Sequence, residues 1–304
     1  MNSKLFQLYR QNGMIRSALL LGRRVLRSAG DALILGSEKI PVGPRLGAGD
    51  RKVLARNLEL KNKHRGKRAF VIGTGPSIQN QDLRPLGNEI TFAVSGFWKH
   101  PIIDVWQPTY YCMSDPLLFD GSETMKDFFR SVTKSVGNST FFVPLSARQV
   151  VEQQGLLPAD QTYYVSLDGD LSQNVPSDID LQTHAPSPMI VAQFCITIAL
   201  YMGISPIYLL GLDHDWLAHR GETKHFYSGH AGLEKHPEVK PVLGDWSYRF
   251  LMECQLTGWK GYESLREFAR ARNMQIINAT DGGFLDVFER AEYRDLIRKE
   301  ADRT

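Results

Sequence analysis

Arg68-Ala69-Phe70-Val71-Ile72-Gly73-Thr74-Gly75-Pro76-Ser77 runs from consecutive apolar residues straight into a glycine-rich turn. The apolar run suits a strand buried on both faces, and Gly-x-Gly-Pro-Ser suits a tight turn leading into a helix. Working outward, the same pattern recurs. Apolar runs lie at 90–94, ending at Ser95-Gly96, and at 108–113, ending at Ser114-Asp115-Pro116. Others lie at 140–144, at 163–167, at 207–210 running into Gly211-Leu212-Asp213, and at 275–278 followed by Ala279-Thr280-Asp281-Gly282-Gly283. Helical patterns fall between them. A polar helix is expected over 49–63, an amphipathic one over 122–136 and a fully apolar one over 187–203. One long helix or two cover 245–273, and a terminal helix starts near 285. Strands alternating with helices predict an α/β fold, a mostly parallel sheet flanked by helices. Such sheets bind ligands beyond the carboxyl ends of their strands. Small and polar residues gather at those ends, far apart in sequence but converging at one edge.

The composition agrees with a folded domain. The 304 residues allow one large domain or two small ones. Hydrophobic residues make up 42% and charged residues 23%, which excludes a disordered chain, a collagen and a coiled coil. No apolar run reaches the roughly 18 residues of a membrane-spanning helix. Cys112, Cys195 and Cys254 are far apart and odd in number, which excludes a disulfide framework and suggests a reducing compartment. No Cys-x-x-Cys pair is present, so a cysteine-rich zinc site is excluded too.

Charge is uneven along the chain. Lys4, Arg10, Arg16, Arg23, Arg24 and Arg27 precede the first acid, Asp31, with leucines between them at helical spacing. Residues 1–36 therefore read as a basic amphipathic helix, and the Gly- and Pro-rich 37–50 as a linker to a domain over 51–304. Residues 1–30 suit contact with an anionic membrane surface, packing on the domain, or a targeting role. The expected location is cytoplasmic, peripheral on the inner membrane face. The net charge is +3, but the rest of the chain is slightly acidic, so nucleic acid is a poor partner.

The strand ends carry the candidate chemistry. Gly73 and Gly75 let the backbone approach a ligand, with Ser77 as a helix cap or phosphate donor; a plain tight turn is the alternative. The third glycine of a dinucleotide fingerprint is missing, and so is a P-loop. Asp213-His214-Asp215 ends a strand, where Asp213 and Asp215 could hold a divalent ion, cap a helix or support their neighbours. His214, His219, His225, His230 and His236 cluster in one loop. One of them could act as a base near neutral pH, while zinc lacks the usual spacing. Trp216, Phe226 and Tyr227 offer a stacking surface for a sugar or a base. No Gly-x-Ser-x-Gly elbow is present, so acyl transfer has no support.

Together these segments resemble a known family. Arg68–Ser77, the stretch SPMIVAQFCITIALYMGISPIYLLGLD (187–213) and the ending IINATDGGFLDVFER (276–290) resemble, in order and spacing, the bacterial lipooligosaccharide sialyltransferases. They resemble equally a wider family that includes archaeal 6-hydroxymethylpterin diphosphokinases. His225-Phe226-Tyr227-Ser228-Gly229-His230 is similar to the sialyltransferase His-Tyr-x-Gly-His loop, with one residue inserted. The resemblance covers about 66–295 and implies a GT-A-like, Rossmann-like single domain with a His-rich lid loop.

It further implies an inverting glycosyltransferase of lipopolysaccharide biosynthesis. The donor is a nucleotide-sugar, CMP-linked, the acceptor is a glycan or glycolipid, and no metal is required. By position, His230 is the general base, Tyr227 assists at the phosphate and Asp213 belongs to the catalytic group. Gly73, Thr74, Gly75, Pro76, Ser77, Ser95, Gly96, Ser114, Asp115 and Ser187 contact the donor. Ser95, and Ser114 or Asp115, stand where the sialyltransferases have asparagines. Asp115 and Asp213 match the wider family, which implies the alternative of an Mg²⁺-dependent diphosphokinase. A third reading is a non-catalytic nucleotide-sugar-binding protein of the same fold.

Overall fold

The computed structural model describes residues 46–218, 225–227 and 247–301. The basic segment 1–36 and most of the linker lie outside the described residues, and so do Ser228, Gly229, His230, His219 and His236.

Strand β1 (Ala69–Ile72) is buried along its whole length. Beside it on one side lie β2 (Ile90–Val94), β3 (Tyr110–Cys112), β4 (Thr140–Pro144) and β5 (Thr162–Val165). A separate pair is formed by β6 (Leu167–Asp168) and β7 (Ala185–Pro186). On the other side of β1 lie β8 (Ile207–Leu210), β9 (Ile276–Asn278) and β10 (Glu289–Arg290). The main sheet runs β10-β9-β8-β1-β2-β3-β4-β5, and every pairing in it is parallel. Parallel strands covered on both faces need apolar residues at successive positions, and that is why these strands read as continuous runs.

Alternate residues feed two cores. Ala69, Val71, Phe92, Val94 and Leu209 face α4 (Val191–Tyr201) and α5 (Tyr248–Arg270). Phe70, Ile72, Ala93, Tyr111 and Leu210 face α2 (Glu123–Val136) and α3 (Arg148–Gln154). Helix α4 is apolar all round because it is sandwiched between the sheet and α5. Among the described residues no helix is long and apolar enough to cross a membrane.

Three expectations shift. The polar helix stops early: α1 (Ala48–Ala55) gives way to a tighter 3₁₀ turn, Arg56–Leu60. There Asn57 donates to the carbonyls of Tyr164 and Leu181, and Arg56 reaches those of Ala159 and Thr162. The turn thus covers the outer edge of β5, which would otherwise expose unpaired backbone groups. The apolar helix begins only at Val191, because Gln193 holds the preceding residues extended. The terminal helix, α6 (Tyr293–Ala301), begins later than 285, because Leu285, Val287 and Phe288 are drawn into the core and β10 intervenes. Of the one or two helices expected over 245–273, the structure has one, α5, capped by Ser247 Oγ accepting from Phe250 N at 3.2 Å.

Candidate functional site

The chain leaves β1 in one direction and returns through α4 to β8 on the opposite side. The sheet therefore reverses order between β1 and β8, and a crevice opens outside the carboxyl ends at such a switch. The Gly73–Ser77 loop and Gly211–Asp215 border it.

The two loops are sutured together. Gly73 N donates to Leu210 O at 2.8 Å and Gly75 N to Gly211 O at 2.9 Å. Ser77 gives Asp213 Oδ2 its backbone N–H at 3.0 Å and gives Oδ1 its hydroxyl. A Cβ on Gly73 would overlap the Gly211 carbonyl, and one on Gly75 would overlap the Asp213 carboxylate. The glycines are thus required by the close approach of the β1 and β8 loops. The N–H groups of Gly75 and Ser77 are directed at protein acceptors, and so is the Ser77 hydroxyl, read from the sequence as a cap or phosphate donor. Asp213 is 5% exposed; burial pushes its carboxyl up, and the two Ser77 bonds pull it partly back. Its carbonyl accepts from Phe284 N at 2.7 Å, which brings the loop after β9 to the same place.

His225, Phe226 and Tyr227 pack against the β1 loop. Phe226 N donates to Thr74 O at 2.9 Å, Thr74 Oγ1 and His225 Nδ1 lie 2.8 Å apart, and Gln79 donates to Phe226 O at 2.9 Å. Thr74 lies close enough to Tyr227 to hold its hydroxyl pKa down slightly, against the larger effect of burial. The His225 and Tyr227 rings stack at 5.0 Å, while Phe226 meets His100 edge-on at 5.0 Å. Burial raises the Tyr227 hydroxyl to about 12, so it stays protonated and able to donate at neutral pH.

The remaining candidates flank this knot. Ser95 begins the turn Ser95–Lys99 with φ at 47°, and its carbonyl accepts from the Tyr111 hydroxyl at 2.7 Å. Gly96 is buried in the same turn, which brings Lys99 Nζ to 5.3 Å from the Tyr227 ring centroid. Ser114 and Asp115 sit at the end of β3, and Asp115 Oδ1 accepts from Leu117 N at 2.9 Å to cap the next turn. Pro76 opens the 3₁₀ turn Pro76–Asn80. Ser187 precedes α4, and its carbonyl accepts from Leu171 N at 3.3 Å. His214 is turned away from the loops: its Nε2 lies 2.9 Å from the Tyr262 hydroxyl, and burial lowers its pKa to about 4. Direct contacts thus unite the β1 loop, Asp213 and Tyr227. Among the described residues no group of three His, Cys, Asp or Glu could hold a metal ion. Both Asp213 oxygens accept hydrogen bonds from Ser77.

Sequence reasoning missed Lys99 and Tyr111. The signal was the aromatic, basic Phe97-Trp98-Lys99 directly after a strand end; Tyr111 gave none beyond its place in an apolar run.

The fold is an α/β, Rossmann-like one with a mostly parallel sheet. No protein-family model and no curated sequence matches the chain. Among solved structures it is similar to a Maf glycosyltransferase from Magnetospirillum magneticum AMB-1, with a TM-score of 0.46 and 16% identity over 86% of this chain. The chain spans 42% of the length of that protein. It is also similar to the sialyltransferase CstII from Campylobacter jejuni in complex with the substrate analogue CMP-3FNeuAc, with a TM-score of 0.43 and 12% identity over 74% of this chain and 86% of that one. A structure of sialyltransferase CST-II with trisaccharide acceptor and CMP gives 0.42 and 14% over 73% of this chain and 85% of that one.

Proposed function

We propose that the chain is a glycosyltransferase that moves a sugar from a nucleotide-activated donor, CMP-linked, to a cell-surface glycan or glycolipid. The observation that carries this reading is the docking of His225-Phe226-Tyr227 on Thr74 at the sheet's switch point. A loop whose sequence resembles a sialyltransferase signature there reaches the place where the fold binds ligands.

In the proposed reaction His230 takes the proton of the acceptor hydroxyl. The acceptor oxygen bonds to the anomeric carbon from the face opposite the nucleotide, and the bond to the donor phosphate breaks. The nucleotide leaves as the monophosphate, and configuration inverts. Tyr227, protonated at neutral pH, donates to the departing phosphate and so stabilises the developing charge. Ser77 and Asp213 act indirectly, by fixing the loop that carries Thr74. No step is assigned to a metal. Residues 1–30 would hold the enzyme at the inner membrane face beside lipid-linked acceptors.

The test is donor turnover by the full chain with CMP-, UDP- and GDP-sugars, with and without Mg²⁺. Release of CMP that is unaffected by EDTA, and falls by about 100-fold or more in His230→Ala, is the expected result for loss of a general base. Binding of ATP only with Mg²⁺ would replace this reading with the diphosphokinase. No turnover and no nucleotide binding would leave a non-catalytic protein.

A further inference from the structure

Residues 51–68 hold eight basic side chains against one acid, Glu59, a net +7 in a chain whose net charge is +3. The fold gathers half of these cations into one short, fixed turn. Asn62 N donates to Tyr201 O at 3.1 Å, His64 N to Met202 O at 3.0 Å and Gly66 N to Gly203 O at 3.2 Å, so residues 61–67 are strapped along the C-terminal end of α4. Backbone N–H groups, not lysine side chains, satisfy those carbonyls. Lys61, Lys63, Arg65 and Lys67 are all exposed. Among the described residues none of the four forms an ion pair. Glu59 accepts from Arg56 Nε at 3.2 Å and from the Tyr163 hydroxyl, and Lys63 acts on it only through space. His64 adds no charge at neutral pH: its Nε2 lies 2.6 Å from the Tyr110 hydroxyl, and burial, then Lys63, lowers its pKa. Leu58, 57% exposed, sits in the adjoining 3₁₀ turn, and its carbonyl accepts from Lys61 N at 3.1 Å. Like charges held together on a fixed turn repel one another, and an anionic partner relieves that repulsion.

We propose that this turn is a docking surface for a layer of anionic lipid headgroups. Three of its four cations are lysines, point charges that suit diffuse headgroup charge better than the bidentate fork of arginine. Residues 51–68 contain no aromatic side chain on which a nucleic-acid base could stack. The exposed Leu58 beside the cations can enter the apolar boundary beneath the headgroups. The surface is separate from residues 1–30 and does not depend on which reaction the crevice performs. Lys67 O accepts from Ser205 N at 2.9 Å just before β1 and β8 begin, so the turn lies at the amino end of those strands and the Gly73–Ser77 loop at their carboxyl end. A bilayer at this turn therefore leaves the crevice at the opposite end of the sheet, facing away from the lipid.

The test uses the full chain with phosphatidylcholine vesicles, with and without phosphatidylglycerol. Accessible lysines are acetylated briefly and located by mass spectrometry. Lys61, Lys63 and Lys67 should be protected severalfold by the anionic vesicles and not by the neutral ones, while Lys126 and Lys260 stay reactive. Added salt should remove the protection. The triple variant Lys61→Gln/Lys63→Gln/Lys67→Gln should bind anionic vesicles more weakly by about tenfold or more, as expected for the loss of three surface charges. Lys126→Gln/Lys260→Gln, which removes charge elsewhere, should change binding by less than about twofold. Equal reactivity of Lys61, Lys63 and Lys67 in free and vesicle-treated protein overturns the proposal, and so does unchanged vesicle binding in the triple variant. Protection of Lys4 without these three would overturn it while leaving a membrane contact through residues 1–30. Protection by a DNA oligonucleotide and not by vesicles would assign the surface to nucleic acid instead. A protein that turns over a nucleotide-sugar but ignores both vesicles loses this surface and keeps its glycosyltransferase reading.

Discussion

His214 follows β8 on left-handed backbone, with φ at 51°, its carbonyl accepting from Gln255 at 2.9 Å and its ring against Trp259 and Tyr262. Such a conformation costs about 1 kcal/mol or more and persists only where neighbours enforce it. Burial lowers its pKa from 6.5 to about 4, so the folded state prefers the neutral ring. Between these two values the unfolded chain binds the extra proton. Stability is therefore fully present above pH 6.5 and is lost progressively as pH falls through about 4. The loss from this residue should approach roughly 3 kcal/mol. Urea unfolding at a series of pH values measures it, and His214→Gln should flatten that part of the profile; an unchanged profile would mean the ring is not buried neutral. Asp213 has the opposite slope: its raised pKa favours the folded state in acid, and that contribution is lost as pH rises through it. The sequence showed Asp213 at a strand end but not that Ser77 would claim both of its oxygens.

At the scale of elements, one glutamine decides where α4 begins. Gln193 is fully buried, its Oε1 accepts from Met189 N at 2.9 Å and Ile190 N at 3.2 Å, and its Nε2 donates to Gly258 O at 2.7 Å. It therefore ties the approach to α4, which carries Ser187, to the middle of α5. Gln193→Leu strands the two donors Met189 N and Ile190 N and should destabilise by about 2–3 kcal/mol. Amide exchange should accelerate first at Met189 and Ile190; uniform acceleration instead would show that the tie is not local. In the sequence Gln193 is one polar residue in an apolar stretch, so helix and burial were legible and the hook was not. The helix pattern over 49–63 misled for a related reason. Its polar residues Arg56 and Asn57 answer the unpaired edge of β5, about a hundred residues away.

At the scale of the molecule, β1–β5 and β8–β10 meet at a single seam, β1 against β8, with Ala69 opposite Ile207 and Ile72 opposite Leu210. The glycine loop closes that seam at the end where the candidate site lies. Gly75→Ala drives a methyl group into the Asp213 carboxylate and should cost about 2–4 kcal/mol by overpacking. Thermal melts measure it against Gly49→Ala, where the nearest atom is the end of Arg148 at 3.9 Å and little change is expected. Equal stability of the two variants would mean that the loops can separate freely.

The sequence by itself determined the strands, the parallel sheet and the edge where a site must lie, because burial on both faces demands continuous apolar runs and parallel strands share one carboxyl end. It also marked Gly73 to Ser77, Asp213 and Tyr227 as a set. Only the tertiary structure decided what those residues do to one another. Which acceptor takes the Ser77 hydroxyl, which edge Asn57 covers and which turn Tyr111 strains depend on atoms far apart in the chain. Hydrogen bonds and close contacts of that kind leave no period in a sequence.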